Sequence, residues 1–491
     1  MVVNRKLMLL FAVIFALGLS VRALAQEKAK VNLKLADAIE MAKNKSAIAT
    51  QIKASYQSKA FHFAAVKAGL LPQVNLGGNI PGFNRSIVPV IQPDGTTALV
   101  QQSQSNSSAF LSIQQPLLAT GGSIYMTSDI YRYDILGYPV NQYYWQADPL
   151  RVGINQPITT FNALKWNLKQ ERLNYKQATK QELEGFEDLS VQITQAYFEL
   201  YIARMEHKNA AYNQSINDTI YTLSKGRYNL GKIAENDLLQ AELALMNAQS
   251  NVSQTELRVV LAEKKLKNVL NISDTARIDV DPLGEIPNFE VDLLKAQVEA
   301  RENRSDYVAM ELSRLNAEMT VKQTNANRHI SGNLNMSYGL NQTAPSAEAV
   351  YQNPLNSQQA TVSFNMPILN WGKTNSDYKS ALSNLESVTA FIQTQEQNLE
   401  LDLLSKVQTL KQLKLNLVIS SKADTIAQKR YEVTKNRYLI GKVDITNLTI
   451  AQNEKDQALI SFARNLQDFW VAYYQLRRVT LYDFQANKKI S

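Results

Sequence analysis

Cysteine is absent from the 491 residues. That excludes disulfides, thiolate chemistry and a lipid-bearing cysteine at an export cleavage site. A chain that leaves the cytoplasm without disulfides is held by packing or by assembly. Beyond the first 25 residues there is also no apolar run of membrane-helix length, so a helical membrane protein is excluded. A β-barrel is not excluded, because its strands alternate and average out in hydropathy. Histidine is scarce: His62, His207 and His329 lie far apart and form no H-x-x-x-H pair. Gly77-Gly78 and Gly121-Gly122 lack the sequel of a phosphate loop. We therefore expect no enzyme, no metal and no cofactor. The formal charge of +8 includes Arg5, Lys6 and Arg22 of the N-terminal segment, leaving about +5 spread thinly over the rest. No basic block is dense enough for nucleic acid.

What is present begins with an export signal. Asn4-Arg5-Lys6 is a basic start, Leu7 to Leu19 is apolar, and Ala23-Leu24-Ala25 offers an A-x-A cleavage site. The signal is read as 1–25, with the mature chain starting at Gln26.

A repeat organises the remainder. Lys225-Gly226-Arg227-Tyr228-Asn229-Leu230-Gly231-Lys232 returns as Lys435-Asn436-Arg437-Tyr438-Leu439-Ile440-Gly441-Lys442, each matched residue 210 positions later. The match continues from Leu238 and Ala241 to Leu448 and Ala451. Such self-similarity at one offset predicts an internal duplication. Each copy is predicted to be two long helices meeting at a glycine of positive φ.

In chain order, 33–71 reads as mostly helical up to Pro72. Residues 73–80 alternate strictly, with Val74, Leu76 and Ile80 on one face and Asn75 and Asn79 on the other. Leu150 to Pro157 alternates in the same way, with Val152 and Ile154 opposed to Arg151 and Asn155. A helix pair is predicted over 162–270, roughly 90 Å for its first arm at 1.5 Å per residue. Its returning arm carries Leu238, Ala241, Leu245, Ala248 and Val252 as a coiled-coil seam. Residues 271–290, with Pro282 and Pro287, form a connector.

The second repeat spans 291–478. Asn303-Arg304-Ser305 echoes Asn44-Lys45-Ser46. Strands are predicted at 333–340, with Leu334, Met336 and Tyr338 on one face, and at 360–366, with Val362 and Phe364. Its helix pair covers 374–478 and carries Leu448, Ala451, Ala458, Phe462, Leu466 and Phe469. Residues 479–491 read as a tail, mobile from Tyr482. The offset falls from 260 to 210 between the two strands of a repeat, so the first repeat carries about 50 extra residues within 81–148.

Few strands per chain cannot close a sheet, and open edges are not tolerated in lipid. An exported chain with one-sided apolar strands therefore points to a barrel shared among copies. Lipid would meet Val74, Leu76, Ile80, Val152, Ile154, Leu334, Met336, Tyr338, Val362 and Phe364. Pro157 and Pro367 mark strand exits, and Trp371 lies where an aromatic girdle would sit. Two other readings stand beside this one: an ordinary sheet packed on helices, and a secreted coiled-coil or adhesin stalk.

The signal, Leu71-Pro72, Gln156-Pro157, Met366-Pro367-Ile368-Leu369, Asn370-Trp371-Gly372, Glu302-Asn303-Arg304-Ser305-Asp306 and the doubled Arg-Tyr-x-x-Gly-Lys turns together resemble the TolC-type outer-membrane efflux proteins. The resemblance covers nearly all of the mature chain. It implies an α+β membrane protein in the bacterial outer membrane: a homotrimer with a β-barrel of four strands per chain, continuing into a periplasmic α-helical coiled-coil barrel. It implies a passive exit duct that takes substrate from an inner-membrane pump through a periplasmic adaptor, in efflux or type I secretion.

The resemblance also assigns roles at the helix turns. Arg227, Tyr228, Gly231, Lys232, Arg437, Tyr438, Gly441 and Lys442 would form the periplasmic gate and adaptor tips. Asp237 matches an acid that helps hold the gate shut, and Tyr438 its tyrosine partner. The family's basic partner falls on Val443, and its acidic ring on Asn447 and Ile450, so Asp444 is the one acid near the second turn. The extra segment in 81–148 has two readings. It is an extracellular loop, which we favour, or it adds two staves, for six per chain and eighteen per trimer.

Overall fold

A computed structural model of the chain describes residues 30–137, 141–273, 277–280 and 289–490. The signal expected at 1–25 and much of the connector, including Pro282 and Pro287, lie outside them.

In chain order the elements are β1 (Lys30–Leu33), α1 (Leu35–Lys45), α2 (Ala47–Ala68), β2 (Gln73–Ile91), β3 (Thr97–Pro116), β4 (Ser123–Leu136), β5 (Gln142–Ile158), α3 (Ala163–Asn229) and α4 (Glu235–Leu270). There follow β6 (Arg277–Val280), α5 (Leu293–Asn303), α6 (Ser305–Ala326), β7 (Ser331–Ala344), β8 (Leu355–Asn365), α7 (Lys373–Leu439), α8 (Ile445–Thr480), β9 (Tyr482–Asp483) and β10 (Lys488–Lys489). Helix lengths recur in order: 11, 22, 67 and 36 residues for α1 to α4, and the same four for α5 to α8. The break after α1 has a local cause. Ser46 is extended, and its Oγ accepts the Ala49 N–H at 3.0 Å, capping the next helix.

The chain divides into two compact units. The first takes the described residues of Met1–Ser55, Gln181–Arg304 and Leu399–Ser491. Its core is apolar and aromatic. Leu189, Ile193, Ala196 and Leu200 of α3 recur at spacings of three and four and are fully buried. They share a cluster with Leu466, Phe469, Tyr473 and Leu476 of α8. Each large side chain buried there stabilises by about 1.5–3 kcal/mol. The connector holds a strand: β6 pairs in parallel with β1, Leu33 opposite Val280.

The tail is not loose. Leu481 and Tyr482 are buried, and β9 pairs with β10. Asp483 accepts the Tyr473 hydroxyl at 2.6 Å and Arg477 at 3.0 Å. Arg477 also meets the fully buried Glu187 at 3.0 Å. The expectation of a mobile tail from Tyr482 is corrected, because apolar burial and this ion cluster fold the segment back.

The second unit takes Tyr56–Lys180 and Ser305–Asn398. Its centre is one six-stranded sheet in the order β2-β3-β4-β5-β7-β8, antiparallel throughout. The favoured count of four strands, with 81–148 as a loop, is thus corrected to six. The physical reason lies in the turn between β3 and β4, which is tied down. Asn162 donates to the Leu118 carbonyl at 2.9 Å, and Gln156 donates to that of Thr120 at 3.1 Å. Gln115 reaches the Leu70 carbonyl at 2.8 Å. Gly122 packs so closely that a Cβ would lie 2.6 Å from the Asn155 carbonyl oxygen. The strands also outrun the predicted segments: β2 has 19 residues and β3 has 20.

Register sorts the side chains into two faces. Val74, Ile113, Met126, Val152 and Tyr338 form one row across five strands. Asn75, Ser112, Thr127, Arg151, Gly339 and Ser357 form the neighbouring row on the opposite face. A bulge between Asn79 and Gly82 shifts β2 by one residue and returns Phe83 and Ile87 to the Leu76 side. Among the described residues no helix is long and apolar enough to cross a membrane.

Candidate functional site at the paired helix turns

The site residues expected at the turns all lie in the first unit. Helix α3 ends at Asn229, and Gly231 takes φ +67°. Lys232 N–H reaches the Arg227 carbonyl at 2.9 Å, and Gly231 N–H that of Tyr228 at 2.8 Å. Helix α7 ends in the same way. Gly441 takes φ +73°, Lys442 N–H reaches the Arg437 carbonyl at 2.9 Å, and Gly441 N–H that of Tyr438 at 2.9 Å. Both are left-handed glycine stops, with six-to-one and adjacent hydrogen bonds that satisfy the last carbonyls. Each next helix starts differently. Asp444 caps α8 by accepting the Asn447 N–H at 2.8 Å and its amide at 3.0 Å. Ala234 gives α4 no side-chain cap, and Glu235 and Asp237 sit in its first turn.

The two turns meet through one arginine and one tyrosine. The Arg227 guanidinium lies 5.5 Å from the Tyr438 ring centroid. It also donates to the Leu439 carbonyl at 2.9 Å and to that of Tyr438 at 3.3 Å. A cation at the carbonyl end of α7 is favoured by the helix dipole as well. The Tyr438 hydroxyl is buried and bonds the Ser224 Oγ at 2.9 Å. Below them Ile220, Ala241, Tyr431, Ile445, Leu448 and Ala451 make a small apolar core.

Among the described residues Asp237 has no hydrogen bond to Tyr438, whose hydroxyl is paired with the Ser224 Oγ. Asp237 instead lines a recess of about 600 Å³ together with Arg227, Lys232, Tyr438, Lys442 and Asp444. Arg437, Gly231, Lys232, Gly441 and Lys442 face solvent, as does Tyr228.

A second polar group, which the sequence reasoning missed, binds the helix pairs higher up. Lys455 of α8 is buried and donates to Asn209 Oδ1 at 2.8 Å and Asn213 Oδ1 at 3.1 Å. Asp456 accepts from both asparagine amides at 2.7 Å. The Lys455 ammonium also sits 4.8 Å from the Tyr431 ring centroid, and burial pushes the Tyr431 hydroxyl well above its usual range. A signal existed: Lys455 falls on the seam between Ala451 and Ala458, where an apolar residue belongs and where the other repeat has Leu245.

The residues expected on strand faces lie in the second unit. Val74, Leu76, Ile80, Val152, Met336, Tyr338, Val362 and Phe364 are exposed on the single chain, and Ile154 and Leu334 are half-buried. Pro157 does not end its strand: β5 runs through it to Ile158, with Pro157 opposite Asn333. Proline is tolerated there near the strand end, where few ladder bonds remain. Pro367 lies just beyond β8. Trp371 is 91 % exposed, at φ +54°, just before α7.

Comparison with known proteins adds three findings. Solved structures share the fold at low identity. A membrane protein from Pseudomonas aeruginosa has TM-score 0.67 and 14 % identity, over 94 % of each chain. The Campylobacter jejuni CmeC outer membrane channel has TM-score 0.66 and 13 % identity, over 93 % of this chain and 86 % of that one. The outer membrane protein VceC of Vibrio cholerae has TM-score 0.63 and 12 % identity, over 93 % and 97 %. No curated protein matches the chain by sequence. The family model for outer membrane efflux proteins matches residues 145–271 and 296–480, well over half of the chain, and the chain belongs to the outer membrane efflux protein family.

Proposed function

We propose that this protein is the outer-membrane exit duct of a tripartite export system. Three copies of a duplicated chain close one barrel, and the long helices form a coiled-coil tunnel in the periplasm. Substrate passes without catalysis from an inner-membrane pump, through a periplasmic adaptor, to the outside. The observation that carries this reading is the sheet of the second unit. It has one apolar face and one polar face, and among the described residues the outer edges of β2 and β8 have no partner. Lipid offers nothing to unpaired N–H and C=O groups, so each edge needs another copy. Six strands per copy make eighteen per trimer. With strands about 4.8 Å apart and tilted by about 40°, eighteen close at a backbone diameter of about 36 Å, against about 24 Å for twelve.

On this reading the lipid meets the Val74, Leu76 and Met336 face, and the lumen is lined by Asn75, Ser112, Thr127 and Arg151. The turns at Gly231 and Gly441 are the gate and the adaptor contact. Ser224, Tyr438 and Arg227 hold the two turns together, and Asp237 offsets the cations of the recess. Asn447 serves as a cap partner of Asp444, so the acidic ring of related channels is not expected here.

Electron cryomicroscopy in lipid nanodiscs, with a native mass measurement, tests this. We expect three copies, eighteen strands and a ring of about 36 Å. A soluble monomer overturns the duct, whereas a trimer with twelve strands overturns only the strand count.

A further inference from the structure

The contact between the two turns uses half of what the repeats supply. Arg227 of the first turn lies on Tyr438 of the second, with Ser224 behind the tyrosine. Adding the repeat offset of 210 to Arg227 and Ser224 gives Arg437 and Thr434; subtracting it from Tyr438 gives Tyr228. So the chain carries a second arginine, a second tyrosine and a second hydroxyl at matching places. Within the chain this second set is not assembled. Arg437 is exposed, Tyr228 is 39 % exposed, and among the described residues neither side chain has a hydrogen bond or ion pair. Their backbone is nonetheless built like the first set, with glycine stops of φ +67° and +73°.

We propose that Arg437 of one copy lies on Tyr228 of the next copy, with Thr434 behind it, so that the contact inside each chain is repeated between chains. The partner is a second copy of this chain, and the proposal rests on the oligomeric duct argued above. A ring of duplicated chains alternates first and second repeats. Every first-to-second contact inside a chain then has a second-to-first contact across a subunit boundary. The chemistry fits in each part. An arginine over a tyrosine ring is a cation–π pair. Arg227 also takes the carbonyls of Tyr438 and Leu439, and the matching carbonyls are those of Tyr228 and Asn229. Thr434 Oγ1 donates within its own helix to Arg430 at 2.8 Å, which leaves its oxygen to accept from a tyrosine hydroxyl. The copies are not interchangeable throughout: Lys455 and Asp444 face Leu245 and Ala234 at the same offset. The equivalence is therefore confined to the last two turns before each glycine.

The absence of native cysteine makes the test clean. The full-length double variant Arg437→Cys with Asn229→Cys is treated in outer-membrane vesicles with a short bifunctional maleimide. It is expected to run as covalent trimer on a denaturing gel, while each single variant stays monomeric. The pair Arg227→Cys with Leu439→Cys is the control and is expected to link within one chain. If the control links and the test pair does not, or if the test pair links within one chain, the inference is overturned while the duct stands. If the protein is monomeric in detergent, the duct reading fails and takes the inference with it.

Discussion

At Gly231 and at Gly441 the backbone closes with matching hydrogen bonds, and the flanking sequence is Arg-Tyr-x-x-Gly-Lys in both. The side chains nevertheless live in different surroundings. Arg227 is engaged and Arg437 is open; Tyr438 is buried and Tyr228 is not. One turn is followed by acids without a cap, and the other by an Asp444 cap. The comparison teaches that the local sequence dictates the turn, while neighbours decide what its side chains do. Duplication lets one motif serve two tasks, and substitutions at matched positions separate them.

The largest difference is expected at the seam. Lys455→Leu copies the residue of the other repeat, Leu245. It strips the donor from the buried Asn213 and the half-buried Asn209 and leaves Asp456 without its cation. Breaking a buried pair from one side costs about 3 kcal/mol. Thermal unfolding of the purified assembly is the measurement. A loss below about 0.5 kcal/mol, the range of an ordinary surface change, makes the cluster a bystander and the two seams equivalent.

Next come the glycines. An added Cβ meets nothing within 4 Å at Gly231 or at Gly441, so alanine suffers only from the positive φ. That is about 1–2 kcal/mol at each site. We expect equal stability losses for the two single variants. The double variant inserts and assembles but fails to export, read as drug susceptibility of a strain that depends on it. Normal resistance in that strain separates the turns from gating altogether.

These pairs show what could be read in the sequence. The repeat, both glycine stops and the alternation of Val74, Leu76 and Met336 follow from spacing alone, because a period of two and a fixed offset are local signals. The two extra staves were harder. Residues 81–116 are rich in serine, glutamine and proline, and a bulge after Asn79 switches the apolar residues from even to odd positions. A strict alternation template loses such a strand. The turn at 117–122 has a local signal in Thr120-Gly121-Gly122, but the residues that tie it down, Asn162 and Gln156, are distant in sequence. The partner of Tyr438 is hidden for a similar reason: family likeness points to Asp237, while helix phase brings Ser224 to the hydroxyl from a position no local pattern marks.

Ser224→Ala tests that last contact. It leaves the buried Tyr438 hydroxyl without a partner, at a cost of about 1–2 kcal/mol. Adding Tyr438→Phe should recover most of the loss, since both polar groups are then gone. Thr434→Ala, the matched change, should cost nothing in a dissociated chain and show its effect only in the assembled form. Equal losses for Ser224→Ala and Thr434→Ala in the dissociated chain break the distinction between the two turns.

The smallest effect is expected where the two repeats end. Helix α4 stops at Asn271 with φ 54°, and α8 stops at Leu481 with φ 47°, again 210 positions apart. Asparagine tolerates that conformation; leucine does so here because it is buried and the β9–β10 hairpin holds it. The hairpin depends on Asp483. Burial raises its pKa, but the Tyr473 hydroxyl, the Ala486 and Gln485 N–H groups and Arg477 outweigh this and hold it below the usual carboxylate range. A carboxyl lowered on folding stabilises above its unfolded pKa, and that contribution is lost as pH falls through the folded value. The unfolding temperature should therefore hold steady down to about pH 4 and then decline. Asp483→Asn should lower the plateau and flatten that part of the decline. An acid profile unchanged by the substitution would move the acid sensitivity elsewhere and leave Leu481 held by burial alone.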